Sequence, residues 1–450
     1  MAEPVLEQLE NVRKLVRRAG PISHFGAVDS VSDLAVKVED RLGVLEVGTR
    51  VAIETDAADL VAEVVGVSRG AALCLPFGGV EGVRRGARVS FQSGASVVRP
   101  SRAWLGRVVD ALGRPVDGKG PIAPGAAPRD LRASPPPAAL RERLGGPVGF
   151  GVKALDVFCP SRVGQRLGVF SGSGVGKSML LSMIARNADC DISIIALIGE
   201  RGREVREFIE DNLGPEGLAR SVVIVATSDE PAMMRREAAF LALTLGEYFR
   251  DEGGHVFCLM DSLTRVAAAQ REIGLAAGEP PTAKGFTPSV FSLLPKLLER
   301  AGSGGPGAGA VTGVFTVLVE GDDHDEPISD AARAILDGHV VLDRKIAERG
   351  RFPAIDILKS VSRTSTFDAA DPNRSLARRA RALASVYDDM REIIRIGAYQ
   401  RGSNPELDRA IDFNAALERF LAQDLNDFVT PSEAFAALED ILNRHGAEEA

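Results

Sequence analysis

The chain predicts an α/β core built on a parallel sheet, preceded by a small β-barrel and followed by a helical domain. Three observations carry that prediction. From Gly151 to about Ser365, continuous apolar runs alternate with helical stretches, the pattern of strands covered on both faces. Between Pro21 and Gln92, short β-prone runs are cut by glycines at regular intervals, as in a small barrel. After Asp371-Pro372-Asn373 the apolar spacing turns helical.

Composition sets the outer limits. With 450 residues and a 45% apolar share, the chain can bury several cores. The expected division is a helix at 1–20, a barrel at 21–95, a connector at 96–150, the core at 151–372 and a helical domain at 373–450. A net charge of −8 argues against a protein whose main work is wrapping nucleic acid. The 4 cysteines are scattered without CxxC spacing, which suits reduced thiols, with Cys190 and Cys258 beside apolar runs. No uncharged apolar stretch is long enough to span a bilayer, and the first twenty residues lack an apolar signal core. A cytoplasmic protein, able to sit peripherally at the inner membrane face, is expected.

The elements follow in order. Over Met1–Gly20, Val5, Leu9, Val12 and Val16 recur at helical spacing, with acids early and bases late, as an amphipathic helix for a partner or for oligomer docking would have them. Barrel strands are expected at Leu34–Val38, Arg50–Ile53, Val61–Val65 and Arg88–Phe91. Only Phe25, Phe77 and Phe91 supply aromatics there, which favours a structural barrel over one that stacks bases. A Gly- and Pro-rich connector from Gly113 to Gly146 should be irregular. Core strands are expected at Arg166–Phe170, Ile192–Ile198, Val222–Ala226, Val256–Met260 and Val311–Val319. The run Ser303–Gly309 reads as a flexible insertion. Thr430-Pro431-Ser432-Glu433 is a capping box opening a late helix.

The most informative motif is Ser171-Gly172-Ser173-Gly174-Val175-Gly176-Lys177-Ser178, set between an apolar strand and a helix. Glycines there let backbone N–H groups turn inward around phosphate oxygens, and the helix N-terminus adds its positive end. Lys177 supplies a point charge for β and γ phosphates, and the Ser178 hydroxyl is a Mg²⁺ ligand. The strict pattern has Gly where this chain has Ser171. ATP and Mg²⁺ are the expected substrate and cofactor.

Two further elements fit the same chemistry. Ile194–Ile198 delivers Gly199-Glu200-Arg201 to the carboxyl edge of the sheet, where ligands bind in open α/β folds. Glu200 there can orient the water that attacks the γ-phosphoryl group, and Arg201 can contact that phosphate. Val256–Met260 ends in Asp261, a Walker B acid that holds Mg²⁺ through water. Arg265 places another cation nearby.

The runs Gly199–Phe208 (GERGREVREF), Arg271–Pro288, Val319–Asp323 and Ala354–Arg363 (AIDILKSVSR), with the phosphate loop, resemble the type III protein-export ATPases, relatives of the rotary ATP synthase β subunit. The Arg395–Gly402 run is most similar to the flagellar branch. That resemblance implies a RecA-like core, a homohexameric ring, Glu200 as catalytic glutamate, Arg201 as a γ-phosphate contact, Arg363 as a finger reaching a neighbour's site, and Phe352 packed on adenine. It also implies a stator-like regulator, a stalk-like central protein, the membrane export gate and chaperone–substrate complexes as partners. Asp343 departs from the pattern, which has Ser there.

Three alternatives stay open at this level. An injectisome ATPase has the same chemistry and different cargo. A rotary ATP synthase usually places its catalytic and non-catalytic sites on separate chains, whereas this chain carries both Glu200 and Arg363. An RNA-tracking hexamer fits poorly with the acidic balance and the aromatic-poor barrel.

Overall fold

A computed structural model describes residues 25–91, 96–319, 321, 326–366 and 372–445. The amphipathic helix read over Met1–Gly20 lies outside them. The chain divides into two compact units at Ser96.

The first unit is a closed barrel of six strands: β1 (Phe25–Val31), β2 (Val36–Glu39), β3 (Arg50–Ile53), β4 (Leu60–Ser68), β5 (Ala71–Pro76) and β6 (Arg88–Phe91), ordered β1-β2-β5-β4-β3-β6. Closure leaves no open sheet edge. Alternate residues fill the interior, among them Val36, Val38, Val51, Ile53, Val64, Cys74 and Val89. Burial pushes the Cys74 thiol up to about 12. Phe77 is buried, and exposed Phe25 lies 3.6 Å under the Arg88 guanidinium.

The second unit is built on a twisted sheet. Its path runs β14 (Ile355–Ser362), β13 (Gly338–Leu342), β8 (Arg166–Ser171), β12 (Ala310–Leu318), β11 (His255–Asp261), β9 (Ile192–Ile198), β10 (Ser221–Ala226) and β7 (Arg107–Asp110). All neighbours on that path pair in parallel except β13 and β14, which are antiparallel. The five central strands match the apolar runs of the sequence, and every residue of β9 is buried. Helices α2 (Lys177–Asn187), α5 (Ala232–Asp251), α6 (Leu263–Ala276) and α7 (Pro288–Leu298) pack around them. Strand β7 comes from within the segment read as a connector, so the core sheet begins well before Gly151.

The run Ser303–Gly309 is not a loose insertion. Gly302–Ser303 pairs with β12, Gly304 N–H donates to the Gly309 carbonyl at 2.9 Å, and Glu142 N–H donates to the Gly304 carbonyl at 2.8 Å. A Cβ on Gly309 would lie 2.0 Å from the Gly254 carbonyl oxygen. Glycine is present there because two backbones touch.

Buried charge also ties this unit together. Arg300 is 2% exposed and donates to both Glu247 oxygens at 2.9 and 2.6 Å, to the Leu131 carbonyl at 2.7 Å and to the Thr244 hydroxyl at 2.9 Å. Removing one partner of such a pair strands the other in low dielectric. Arg300→Ala is expected to lower stability by about 3–5 kcal/mol, read from chemical unfolding midpoints. A loss under about 1 kcal/mol would mean that water reaches Glu247.

The C-terminal helices α10 (Pro372–Arg395), α11 (Pro405–Leu421) and α12 (Pro431–His445) share a core with the sheet unit, through Ala380, Phe413, Leu417 and Leu438 against residues such as Phe150 and Leu180. The capping box forms: Thr430 N–H donates to Glu433 at 2.8 Å, and Glu433 N–H donates back to the Thr430 hydroxyl at 3.3 Å. Among the described residues no helix is long and apolar enough to cross a membrane.

Candidate functional site

The site forms at the carboxyl edge of the sheet, where β8 gives way to α2. Gly174 (φ +74°) and Gly176 (φ +92°) take left-handed conformations that let the loop curl, and α2 begins at Lys177. A Cβ on Gly176 would meet the Phe352 ring at 3.1 Å, so Phe352 packs directly against the end of the loop. Strand β9 ends at Ile198, and Gly199 (φ +73°) turns the chain so that Glu200 faces Lys177. Strand β11, in register beside β9, ends at Asp261.

Three of the expected residues therefore meet. The Lys177 ammonium donates to Glu200 Oε1 at 3.0 Å and to Asp261 Oδ1 at 2.5 Å. Burial lowers the lysine pKa, but the Asp261 and Glu200 carboxylates outweigh it and hold the group above its ordinary value. Lys177 is thus a firmly charged ammonium. The same Asp261 oxygen, Oδ1, also accepts a hydrogen bond from the Thr316 hydroxyl on β12 at 2.6 Å.

Lys177 and Glu200 border a cavity of about 750 Å³, lined by Gly172, Ser173, Gly174, Gly176, Lys177 and Ser178 on one side and by Gly199, Glu200, Arg201, Glu204, Thr264 and Arg265 on another. The volume suits a nucleotide-sized ligand. Among the described residues four cations line it, Lys177, Arg201, Arg265 and Arg344, against the two carboxylates Glu200 and Glu204. That excess suits a polyphosphate. Arg201 is largely exposed and paired with Glu204 at 3.1 Å, so contact with a phosphate requires it to swing from that partner.

Not every expected residue lines the cavity: Asp261 is bonded to Lys177 and Phe352 packs against Gly176, but neither is part of the lining. Ser171 and Val175 are fully buried, Ser171 as the last residue of β8. Their side chains lie behind the loop, leaving only backbone for a phosphate. Arg363 is elsewhere altogether. Its N–H donates to the Asp337 carbonyl, whose own N–H donates to the Arg166 carbonyl, both at 2.9 Å. It thus sits at the start of β8, the opposite edge of the sheet from the phosphate loop.

Oxygen donors for a divalent cation are present. Ser178 lines the cavity and Asp261 is bonded to Lys177, which lines it; both are hard donors of the type Mg²⁺ takes. A positive charge is already accommodated between Glu200 and Asp261 in the form of Lys177. Among the described residues no group of three or more His, Cys, Asp or Glu is placed to hold a metal by itself.

Sequence reasoning missed Arg344, which donates to the Ser173 carbonyl at 3.0 Å, and Thr316. A threonine near the end of a mostly apolar strand was the available signal for the second. It also missed the segment after α11, where Gln423 N–H donates to the Phe352 carbonyl at 2.9 Å.

Comparison with known proteins places this geometry. The nucleotide-binding domain of the ATP synthase alpha/beta family matches residues 151–362, its beta-barrel domain matches 30–92, and the T3SS EscN ATPase C-terminal domain matches 369–440. The flagellum-specific ATP synthase of Caulobacter vibrioides is 53% identical over 95% of this chain and 98% of its own length. The type 3 secretion system ATPase of Xanthomonas euvesicatoria is 46% identical over 85% of this chain and 84% of its own. Among solved structures, assembled EscN from the enteropathogenic E. coli type III secretion system superposes with a TM-score of 0.87 at 40% identity, covering 93% of this chain and all of that one. EscN in complex with its central stalk EscO gives 0.84 at 40% identity over the same shares. The chain is an ATP-hydrolysing enzyme of the ATP synthase alpha/beta family and belongs to its flagellar and type III secretion branch.

Proposed function

We propose that this chain hydrolyses Mg-ATP in a homohexameric ring and so energises flagellar protein export at the cytoplasmic face of the membrane. The observation that carries the chemistry is the Lys177 ammonium held between Glu200 and Asp261 at the mouth of the phosphate loop. Backbone N–H groups of residues 172–177 cradle the phosphates, and Lys177 moves from the carboxylates to the β and γ oxygens as ATP enters. That movement frees Glu200 to orient the attacking water and accept its proton. Ser178 and Asp261 would hold Mg²⁺, which would supply neutralisation of phosphate charge. Phe352 supplies an apolar face for the base. The flagellar assignment over the injectisome rests on the higher identity to the Caulobacter relative. A stalk-like partner is supported by the EscN–EscO likeness. A stator-like regulator, the export gate and chaperone–substrate complexes follow from the same reading.

Glu200→Gln separates binding from chemistry. The amide keeps the size of the side chain and its contact with Lys177 but cannot take a proton. ATP is expected to bind within about threefold of the wild-type affinity while hydrolysis falls by about two decades or more. Equal loss of both would make Glu200 a structural residue. For the cargo, the wild-type chain should restore flagellar protein secretion to cells lacking their own export ATPase, and Glu200→Gln should not. An active ATPase that fails to restore it would point to the injectisome.

A further inference from the structure

Behind the phosphate loop, Arg186 joins three parts of the fold. It lies in the last turn of α2, whose first turn carries Lys177 and Ser178. Its Nε and Nη2 donate to the Asn212 carbonyl at 3.0 and 2.7 Å, and Nη2 also reaches the Asp211 carbonyl at 3.2 Å. Its Nη1 donates to Asn426 Oδ1 at 2.8 Å.

Each acceptor lies on an element tied to the site. Asp211 and Asn212 end a π-helical turn, Phe208–Leu213, that continues helix α3 (Gly202–Glu207). That helix starts two residues after Glu200. Carbonyls at a helix end lack partners within the helix, and a planar guanidinium can satisfy two neighbouring ones at once. Asn426 belongs to the segment between α11 and α12 in which Gln423 bonds the Phe352 carbonyl.

The bracing is reciprocal. Arg220, after helix α4 (Gly214–Ala219), donates to the Arg186 carbonyl at 2.9 Å and to the Ala188 and Cys190 carbonyls at 3.3 and 3.1 Å. Helix α2 and the α3–π–α4 run thus cap each other from behind, while Lys177 and Glu200 join them in front. Once Lys177 turns to the phosphates, the rear links remain to hold the phosphate loop at its distance from the carboxylate that handles water.

We propose that Arg186 is a positioning residue for hydrolysis. It sets the separation of the phosphate-loop helix from the helix behind Glu200, and it couples that separation to the segment beside Phe352. This rests on Glu200 acting on the attacking water. A carboxylate displaced by about 1 Å can cost about a hundredfold in rate while nucleotide still binds.

The test is a split between kcat and KM. Arg186→Ala should lower kcat by about ten- to a hundredfold at saturating Mg-ATP, with ring assembly and unfolding midpoint retained. Asn426→Ala removes only the arm to the Phe352 side, and should raise the KM for ATP about threefold with a much smaller loss of kcat. Arg186→Lys offers one ammonium where a fork served two directions, and should fall between Arg186→Ala and wild type. Arg206→Ala, which breaks an exposed pair between α3 and Glu210 of the π-helical turn, serves as reference and should leave kcat unchanged. Should Arg186→Ala fail to fold, Arg186→Lys carries the comparison. Arg186 variants within about twofold of wild type in kcat would overturn the proposal, as would a loss that vanishes once activity is scaled to folded, assembled protein. Glu200→Gln run in parallel separates the failures. If it remains active, the reading of the site has failed; if it is inactive while the Arg186 variants match wild type, the positioning role alone has failed.

Discussion

Lys177→Ala should abolish hydrolysis and weaken nucleotide binding together. Lys177 compensates two carboxylates at once, at 3.0 Å from Glu200 and 2.5 Å from Asp261, inside a site where its own side chain is 11% exposed. Removing it subtracts the charge that meets the β and γ phosphates, an effect worth about two to three decades in rate. It also leaves Glu200 and Asp261 facing an incoming polyphosphate with no ammonium between them, so repulsion adds to the lost attraction. Phosphate release at saturating Mg-ATP reads the first effect, and nucleotide titration without turnover reads the second. Hydrolysis near the wild-type rate would remove the phosphate loop from the chemistry. Normal affinity with lost turnover would mean that backbone N–H groups carry the binding. Lys177→Arg should not rescue, because a planar fork cannot take the place of a compact ammonium held between two carboxylates.

Much of this site was legible in the sequence because its signals are local. A strand, a glycine loop and a helix occur in one unbroken stretch, and a strand ending in an acid announces itself. The central strands were equally plain, since both faces are covered and their residues are almost uniformly apolar. What escaped depends on partners distant in the chain. Strand β7 has only four residues and lies in a Gly- and Pro-rich neighbourhood, and pairing with β10 is what makes it a strand. The glycines of Ser303–Gly309 looked like looseness, but their spacing answers to the Gly254 backbone some fifty residues away, as the 2.0 Å approach to Gly309 requires. Ser171 and Val175 sit inside the motif, yet strand alternation and the tight loop turn their side chains into the core. Arg344 contacts the loop from a separate helix start, so nothing near Lys177 in sequence points to it.

If Arg363 targets a neighbour's phosphate, as we propose, Arg363→Ala should bind ATP, assemble and hydrolyse slowly. Arg363 lies level with the start of β8, and the phosphate loop follows the end of that strand. Residues Arg166 to Ser171 at about 3.3 Å each put roughly 17 Å between the two edges, farther than an arginine side chain extends. Its own site is out of reach. A finger supplied in trans stabilises charge on the transferring phosphoryl group and is worth about three to five decades in rate. In a head-to-tail ring every interface is the same pairing of one chain's loop with the next chain's finger face. Glu200→Gln breaks the loop side and Arg363→Ala breaks the finger side. When the two variants are mixed, an interface is intact wherever an Arg363→Ala chain supplies the loop and a Glu200→Gln chain supplies the finger. Random mixing makes that about a quarter of interfaces at equal proportions, and fewer at any other ratio. Activity should therefore rise from near zero to a maximum at the equal mixture and fall again. Doping wild-type rings with the double variant calibrates how far one broken interface silences its neighbours. If co-assembled rings stay as inactive as either variant across all ratios, while doped wild-type rings lose activity only in proportion to the broken interfaces, Arg363 does not act in trans.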